Sequence, residues 1–244
     1  MRIVHFIIAI TILSGCSKTK LMPVRQNMPV ANNDTIPKAT DTGTVTYLAL
    51  GDSYTIGEAV PADENFPNRL TAVLKQNDYN ILPPVIIART GWTTNELIAA
   101  IKQKDIKEKF TMVTLLIGVN NQYRGYNIDT YRTEFVQLLN TALNYAGNNS
   151  KHVFVVSIPD YGVTPFASGS DTKKIEKEIN AYNAIAEDEA GKAGVTFVDI
   201  TQISRNALYD KALVAGDGLH PSGKMYSEWI NKLAPVVAKH LNSK

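Results

Sequence analysis

The 244-residue chain has one cysteine, Cys16, and only four histidines. A single cysteine excludes an intramolecular disulfide and any multi-cysteine metal site. The 25 Lys and Arg nearly cancel the 23 Asp and Glu, leaving a net charge of +2. Phosphate backbones are bound by concentrated basic faces, so this balance excludes nucleic acid as a partner. No apolar run reaches the about 20 residues a membrane span needs; the stretch from Ile3 to Leu13 is about half of that. The chain also lacks an internal repeat. What remains, at 44% hydrophobic and 20% charged residues, is material for one substantial core and one large domain. No cofactor and no metal are expected.

The N-terminus is punctuated differently from the rest. Met1-Arg2 is followed by the apolar stretch to Leu13, the pattern of a secretory signal. It ends in Leu13-Ser14-Gly15-Cys16, which resembles the lipobox of bacterial lipoproteins. The resemblance implies a signal peptide over 1–15 and a lipidated Cys16 as the new N-terminus. The membrane would then be a partner, and the location the bacterial cell envelope, at its periplasmic face or the cell surface. Acyl chains contribute about 0.8 kcal/mol per buried CH₂, enough for a multiply acylated cysteine to hold the chain at a membrane. The other reading of Cys16 is an incidental cysteine in an ordinary signal peptide. Residues 17–43 carry Pro23, Pro29 and Pro37 and no aromatic side chain, so 16–43 is expected to be a flexible tether. A coil of this length spans roughly 30 Å, which would let a folded domain at 44–244 stand clear of a surface.

Beyond the tether, short β-branched apolar runs alternate with longer segments of helical period, which predicts an α/β fold around a mainly parallel sheet. Strands are expected at Val45–Leu50, Pro84–Ala88, Met112–Ile117, His152–Ile158 and Val195–Asp199. Their near-continuous apolarity suits strands covered on both faces. Helices are expected at Asn65–Gln76, Thr94–Lys104, Ile128–Tyr145, Asp171–Lys192 and Gly223–Leu241, with Asp129 and Thr130 capping the third and Gly147 ending it. The run Lys173 to Glu178 reads as a salt-bridged helix face.

In such a sheet, ligands bind at the carboxyl ends of the strands, and four short words fall there. Gly51-Asp52-Ser53-Tyr54 follows the first strand and Gly91 follows the second. Gly118-Val119-Asn120-Asn121 follows the third, and Asp217-Gly218-Leu219-His220 precedes the last helix. The first and last words supply a hydroxyl, an imidazole and a carboxylate, the set that nucleophilic acyl transfer needs. Taken alone, Gly-Asp-Ser also reads as a turn with a helix-capping serine, and Asp217-Gly218 as a common turn.

Four blocks in this order, covering Val45 to the C-terminus, resemble the SGNH hydrolases, also called the GDSL esterase/lipase family. The resemblance implies a flavodoxin-like three-layer α/β/α sandwich with a five-stranded sheet. It also implies roles: Ser53 as nucleophile, His220 as general base and then acid, Asp217 as the carboxylate orienting His220. The oxyanion hole would be the backbone N–H groups of Ser53 and Gly91 with the Asn120 side-chain amide. The family's third block usually reads Gly-x-Asn-Asp, so Asn121 is a departure. The other histidines have ordinary readings: His5 in the signal segment, His152 opening a strand, His240 on a solvated helix. Trp92, Asn121, Tyr123 and Tyr126 are expected near the substrate pocket, with Tyr161 and Phe166 close by. Arg89 and Arg124 could attract an anionic substrate group, while Asp52 and Glu58 read as local structure. The expected activity is metal-independent ester hydrolysis on a small-molecule or glycan ester, an acetyl group on a carbohydrate first. A lysophospholipase, a thioesterase and a non-catalytic surface binding lipoprotein are the alternatives.

Overall fold

The computed structural model describes residues 36–41 and 43–243. The signal segment 1–15, Cys16 and most of the tether lie outside the described residues. Five strands form one parallel sheet: β1 (Tyr47–Gly51), β2 (Val85–Ala88), β3 (Met112–Leu116), β4 (Val153–Val156) and β5 (Thr196–Val198), in the order β2-β1-β3-β4-β5. Each expected strand is present and shorter by one to three residues. Val45, for example, makes only an isolated bridge to Ile81.

Helices α1 (Ser53–Ile56), α2 (Phe66–Gln76), α3 (Thr94–Lys104), α4 (Val119–Tyr123), α5 (Ile128–Tyr145), α6 (Thr172–Lys192), α7 (Thr201–Arg205) and α8 (Gly223–Leu241) complete the α/β/α sandwich. The pair α2 and α8 packs together on one face; α3, α5 and α6 form a contiguous layer on the other. Phe66 on α2 meets Trp229 on α8 at 6.3 Å between ring centroids, both fully buried. Each such side chain removed from water is worth about 1.5 to 3 kcal/mol. The cap of α5 is a correction: Asn127, not Asp129 or Thr130, accepts from the Asp129 and Thr130 N–H groups, at 2.8 and 3.1 Å. The side chain one residue before the helix is the one that can reach back to its free donors.

The folded body also begins earlier than position 44. Ile36 and Ala39 pack against the core, and Ala39 N–H donates to the Asn77 carbonyl at 3.0 Å. Asn242 bonds both the Thr40 N–H (3.0 Å) and the Lys38 carbonyl (2.7 Å). The expected tether thus loses its last residues to the body, because two apolar side chains and a C-terminal amide offset the cost of ordering them. No described helix is long and apolar enough to cross a membrane.

The sheet order reverses direction between β1 and β3, and a crevice opens where the chain leaves such a switch point. Gly51 pairs in register with Ala88 on one side and Leu116 on the other, so the loops after β1, β2 and β3 start level with one another.

Candidate active site

The first loop is built around Asp52. Its Oδ1 accepts from the Tyr54 N–H at 3.0 Å, capping the single turn of α1 and setting Ser53 at the head of that turn. Across the crevice, the loop before α8 folds back on itself: Ala215 N–H donates to the His220 carbonyl at 2.7 Å. Asp217 Oδ1 accepts from the N–H groups of Leu219 and His220, each at 3.0 Å. This leaves Asp217 Oδ2 free to take His220 Nδ1 at 2.6 Å, and His220 Nε2 lies 3.0 Å from Ser53 Oγ. The sequence separates Ser53 and His220 by 167 positions; α8 closes that gap, with the Tyr226 hydroxyl donating to the Tyr54 carbonyl at 3.0 Å. Tyr54 in turn packs its ring 5.3 Å from the His220 imidazole.

Ser53 is 4% exposed and His220 7%, so the hydroxyl–imidazole contact sits in a largely dry environment where hydrogen bonds are strong. Burial pushes the Asp217 carboxyl up. The hydrogen bonds from the His220 ring and two N–H groups outweigh that and hold it below the usual range, so Asp217 stays ionised to complement an imidazolium. Asp52 is the opposite case: fully buried, with too few donors, its carboxyl is pushed up to about 7.

Two further loops face Ser53. Gly91 has φ +80°, a left-handed backbone that favours glycine. Its carbonyl accepts from Arg124 Nη2 at 2.6 Å, and Arg124 Nη1 reaches Glu96 at 3.3 Å. Gly118, at φ +133°, could carry no side chain, since a Cβ there would lie 2.7 Å from the Tyr131 ring. That tight approach starts α4 and delivers Asn120, whose Nδ2 donates to the Trp92 carbonyl at 3.0 Å and lies 3.5 Å from Asp52 Oδ2. Neither the Ser53 nor the Gly91 N–H donates to a protein acceptor among the described residues.

These loops border a cavity of about 80 Å³ lined by Ser53, Val119, Asn120, Tyr123, Leu219 and His220, with Tyr54, Tyr161 and Phe166 closing it. Tyr123, Tyr161 and Phe166 form a triangle of rings 5.8 to 6.2 Å apart. A hydroxyl hydrogen-bonded to an imidazole, an ionised carboxylate behind it, and unpaired N–H donors beside it are the parts acyl transfer requires. Among the described residues no group of three or more His, Cys, Asp or Glu side chains is placed to hold a metal ion.

The model of the GDSL-like lipase/acylhydrolase family matches residues 49–227, the span that holds all four loops. The chain belongs to that family. Comparison of this GDSL-like protein with curated protein sequences returns no match. Among solved structures it is similar to TesA, at 16% identity over 80% of this chain and 99% of that one, with a TM-score of 0.63. It is also similar to Axe2, an acetylxylan esterase from Geobacillus stearothermophilus, at 19% identity over 86% and 97% of the two chains, TM-score 0.62. The psychrotrophic esterase EstA from Pseudoalteromonas sp. aligns at 16% identity over 81% and 99%, TM-score 0.60. At these identities the likeness is one of fold.

Within this GDSL-like site, three of the four expected pocket residues are placed elsewhere. Tyr123 lines the cavity. Asn121 does not: one position further round α4 turns it toward α3, where it is fully buried, accepting from Thr94 N–H at 3.0 Å and donating to Thr94 Oγ1 at 2.6 Å. Trp92 contributes its carbonyl and packs its ring against the edge of the core. Tyr126, beyond the Gly125 turn, is exposed, and its carbonyl accepts from the Tyr182 hydroxyl at 3.0 Å. Arg124 is engaged in holding the Gly91 strip rather than free for an anion. Glu58 accepts from the Thr90 hydroxyl, tying the first loop to the second. His240 is half-buried, edge-on to Phe154 at 5.6 Å, instead of solvated. His152 ends a short turn before β4 rather than opening the strand. Tyr54, Val119 and Leu219 also line the cavity; the sequence reading did not name them as pocket residues, although each lies inside one of the four words.

Proposed function

We propose that this chain is a serine ester hydrolase that removes a small acyl group, acetyl first, from a carbohydrate. The observation that carries the reading is the relay Asp217 Oδ2, His220, Ser53 Oγ, at 2.6 and 3.0 Å, opening on a cavity of only about 80 Å³. His220 Nε2 takes the Ser53 proton as Oγ attacks the ester carbonyl. The oxyanion that forms faces the N–H groups of Ser53 and Gly91 and the Asn120 amide. His220 then returns the proton to the departing alcohol, leaving an acyl-Ser53. Water, deprotonated by His220, attacks that ester, and the acid leaves as Ser53 recovers its proton. Asp217 stays ionised throughout and stabilises the imidazolium.

The acyl preference follows from volume. A cavity of about 80 Å³ beside Ser53 favours an acetyl group over a long acyl chain. That disfavours the lysophospholipase and thioesterase readings. The similarity to an esterase named for acetylxylan is consistent with a sugar ester. An intact set of Ser53, Asn120, Asp217 and His220 disfavours a non-catalytic binder. We further propose that Cys16 is lipidated after removal of 1–15 and holds the enzyme at a bacterial envelope membrane; radiolabelled palmitate incorporation lost in Cys16→Ala would test it, and labelling that survives would refute it.

The activity test uses 4-nitrophenyl acetate, 4-nitrophenyl decanoate and a fluorophosphonate label. Acetate turnover and labelling should both vanish in Ser53→Ala. Activity retained by that variant, or a decanoate preference in the wild type, would overturn the assignment.

A further inference from the structure

A second depression, of about 970 Å³, runs beside the Ser53 cavity. The two are separated by one short turn. Phe166 at its centre closes the Ser53 cavity, while its neighbours Pro165 and Ala167 form a wall of the groove. That turn is tied to the catalytic loop, since the Phe166 N–H donates to the Gly218 carbonyl at 2.9 Å. Anything filling the groove therefore lies next to a molecule held at Ser53.

The groove's chemistry is mixed. Glu176, Gln202, Arg205 and Lys211 supply a carboxylate, an amide, a guanidinium and an ammonium to its lining. Arg205 is fixed in place: its Nε donates to Asp160 at 2.9 Å and its Nη2 to Asn180 at 2.7 Å. At the rim, Leu208 is 59% exposed and Tyr209 87%, an apolar face beside polar groups. A methylene chain would cover the apolar part of this lining but leave its charged and amide groups without partners. A sugar chain presents hydroxyls all round and apolar C–H faces, and matches both features.

We propose that this groove binds the glycan chain of the substrate, with the esterified sugar over Ser53 and further sugars lying past Phe166 toward Tyr209. The proposal rests on the esterase reading above. It predicts that the enzyme senses the length of the alcohol portion rather than of the acyl group.

The test compares acetylated mono- and pentasaccharides of β-1,4-linked xylose, glucose, mannose and N-acetylglucosamine, read as the ratio of kcat/KM for pentamer to monomer. For one of these sugars the wild-type ratio should reach tenfold or more. Tyr209→Ala, and separately Ser168→Trp, which fills the groove, should each bring it back to within threefold of unity. The ratio is internal to each variant, so a partial loss of folded protein does not imitate the effect. A wild-type ratio near one for every sugar, or a ratio that survives both variants, would overturn the groove assignment. Should the wild type turn over 4-nitrophenyl acetate while showing no length dependence, the groove alone fails; no Ser53-dependent turnover of any ester means the esterase reading itself fails. A gain with acyl length that Tyr209→Ala removes would assign the groove to an acyl chain and refute the proposal.

Discussion

Replacing Asn121 with Asp writes the family's usual third block into this chain, and the structure predicts that the change is harmful here. Asn121 is fully buried and serves Thr94 twice, accepting from its N–H at 3.0 Å and donating to its hydroxyl at 2.6 Å. That hydroxyl spends its own proton on Glu134. An aspartate keeps the acceptor but loses the donor, so one hydroxyl proton is shared between two carboxylates. At roughly 5 Å apart and an effective dielectric of about 20, two like charges repel by about 3 kcal/mol. Relaxation will reduce this and the lost hydrogen bond, costing about 1 kcal/mol, will add to it. The expected loss is about 3 kcal/mol at pH 8, or roughly 6 to 12 °C in Tm for a domain of this size. Burial and the neighbouring carboxylate both raise the new carboxyl's pKa in the folded state. Its penalty is then complete above that raised pKa and shrinks as the pH falls through it, where the protonated acid can donate to Thr94 as the amide did. Urea unfolding of Asn121→Asp and wild type, followed by far-ultraviolet circular dichroism at pH 8 and pH 5, measures both effects. Equal stabilities at pH 8, or a loss of the same size at both pH values, would refute the reasoning.

Asn120→Ala should lower kcat on 4-nitrophenyl acetate about 10² to 10³-fold with little change in KM, because an oxyanion donor acts mainly in the transition state; a kcat within tenfold of wild type would remove Asn120 from that role. Asp52, with a carboxyl pushed up to about 7, should cost stability as it ionises, since the folded state holds its proton more tightly than the unfolded chain. The unfolding free energy of Asp52→Asn relative to wild type should therefore rise by about 2 to 3 kcal/mol between pH 5 and pH 8, and a difference that does not change with pH would contradict this.

Much of the scaffold was legible in the chain itself. Helices α3, α5 and α8 begin and end where their periodicity predicts, and the five apolar runs are the five strands; burial on both faces imposes that pattern on β1, β3 and β4, while the edge strands β2 and β5 are apolar though partly exposed. The short pieces α1, α4 and α7 were not legible. Four or five residues are too few to show a period; α1 leans on the Asp52 carboxylate and α7 on Ser157 and Asp199 for a free N–H, while α4 starts at Gly118 with no side-chain cap. The same limit explains the pocket errors. Asn121 and Asn120 are adjacent, and only the rotation of α4 decides that one faces Ser53 and the other Thr94.

The sequence by itself determined the parts of the chemistry: a serine after the first strand, a histidine three residues past an aspartate, and glycines where the backbone must approach closely. These are local facts, fixed by residue type and by spacing along a strand–loop–helix unit. Tertiary structure alone decided that Ser53 and His220 meet at 3.0 Å. It also turned Arg124 from a free cation into the clasp on Gly91, and set a small cavity beside a larger groove of mixed lining. Those depend on side chains distant in sequence competing for the same donors and the same volume, and such competition is settled only when the whole core packs.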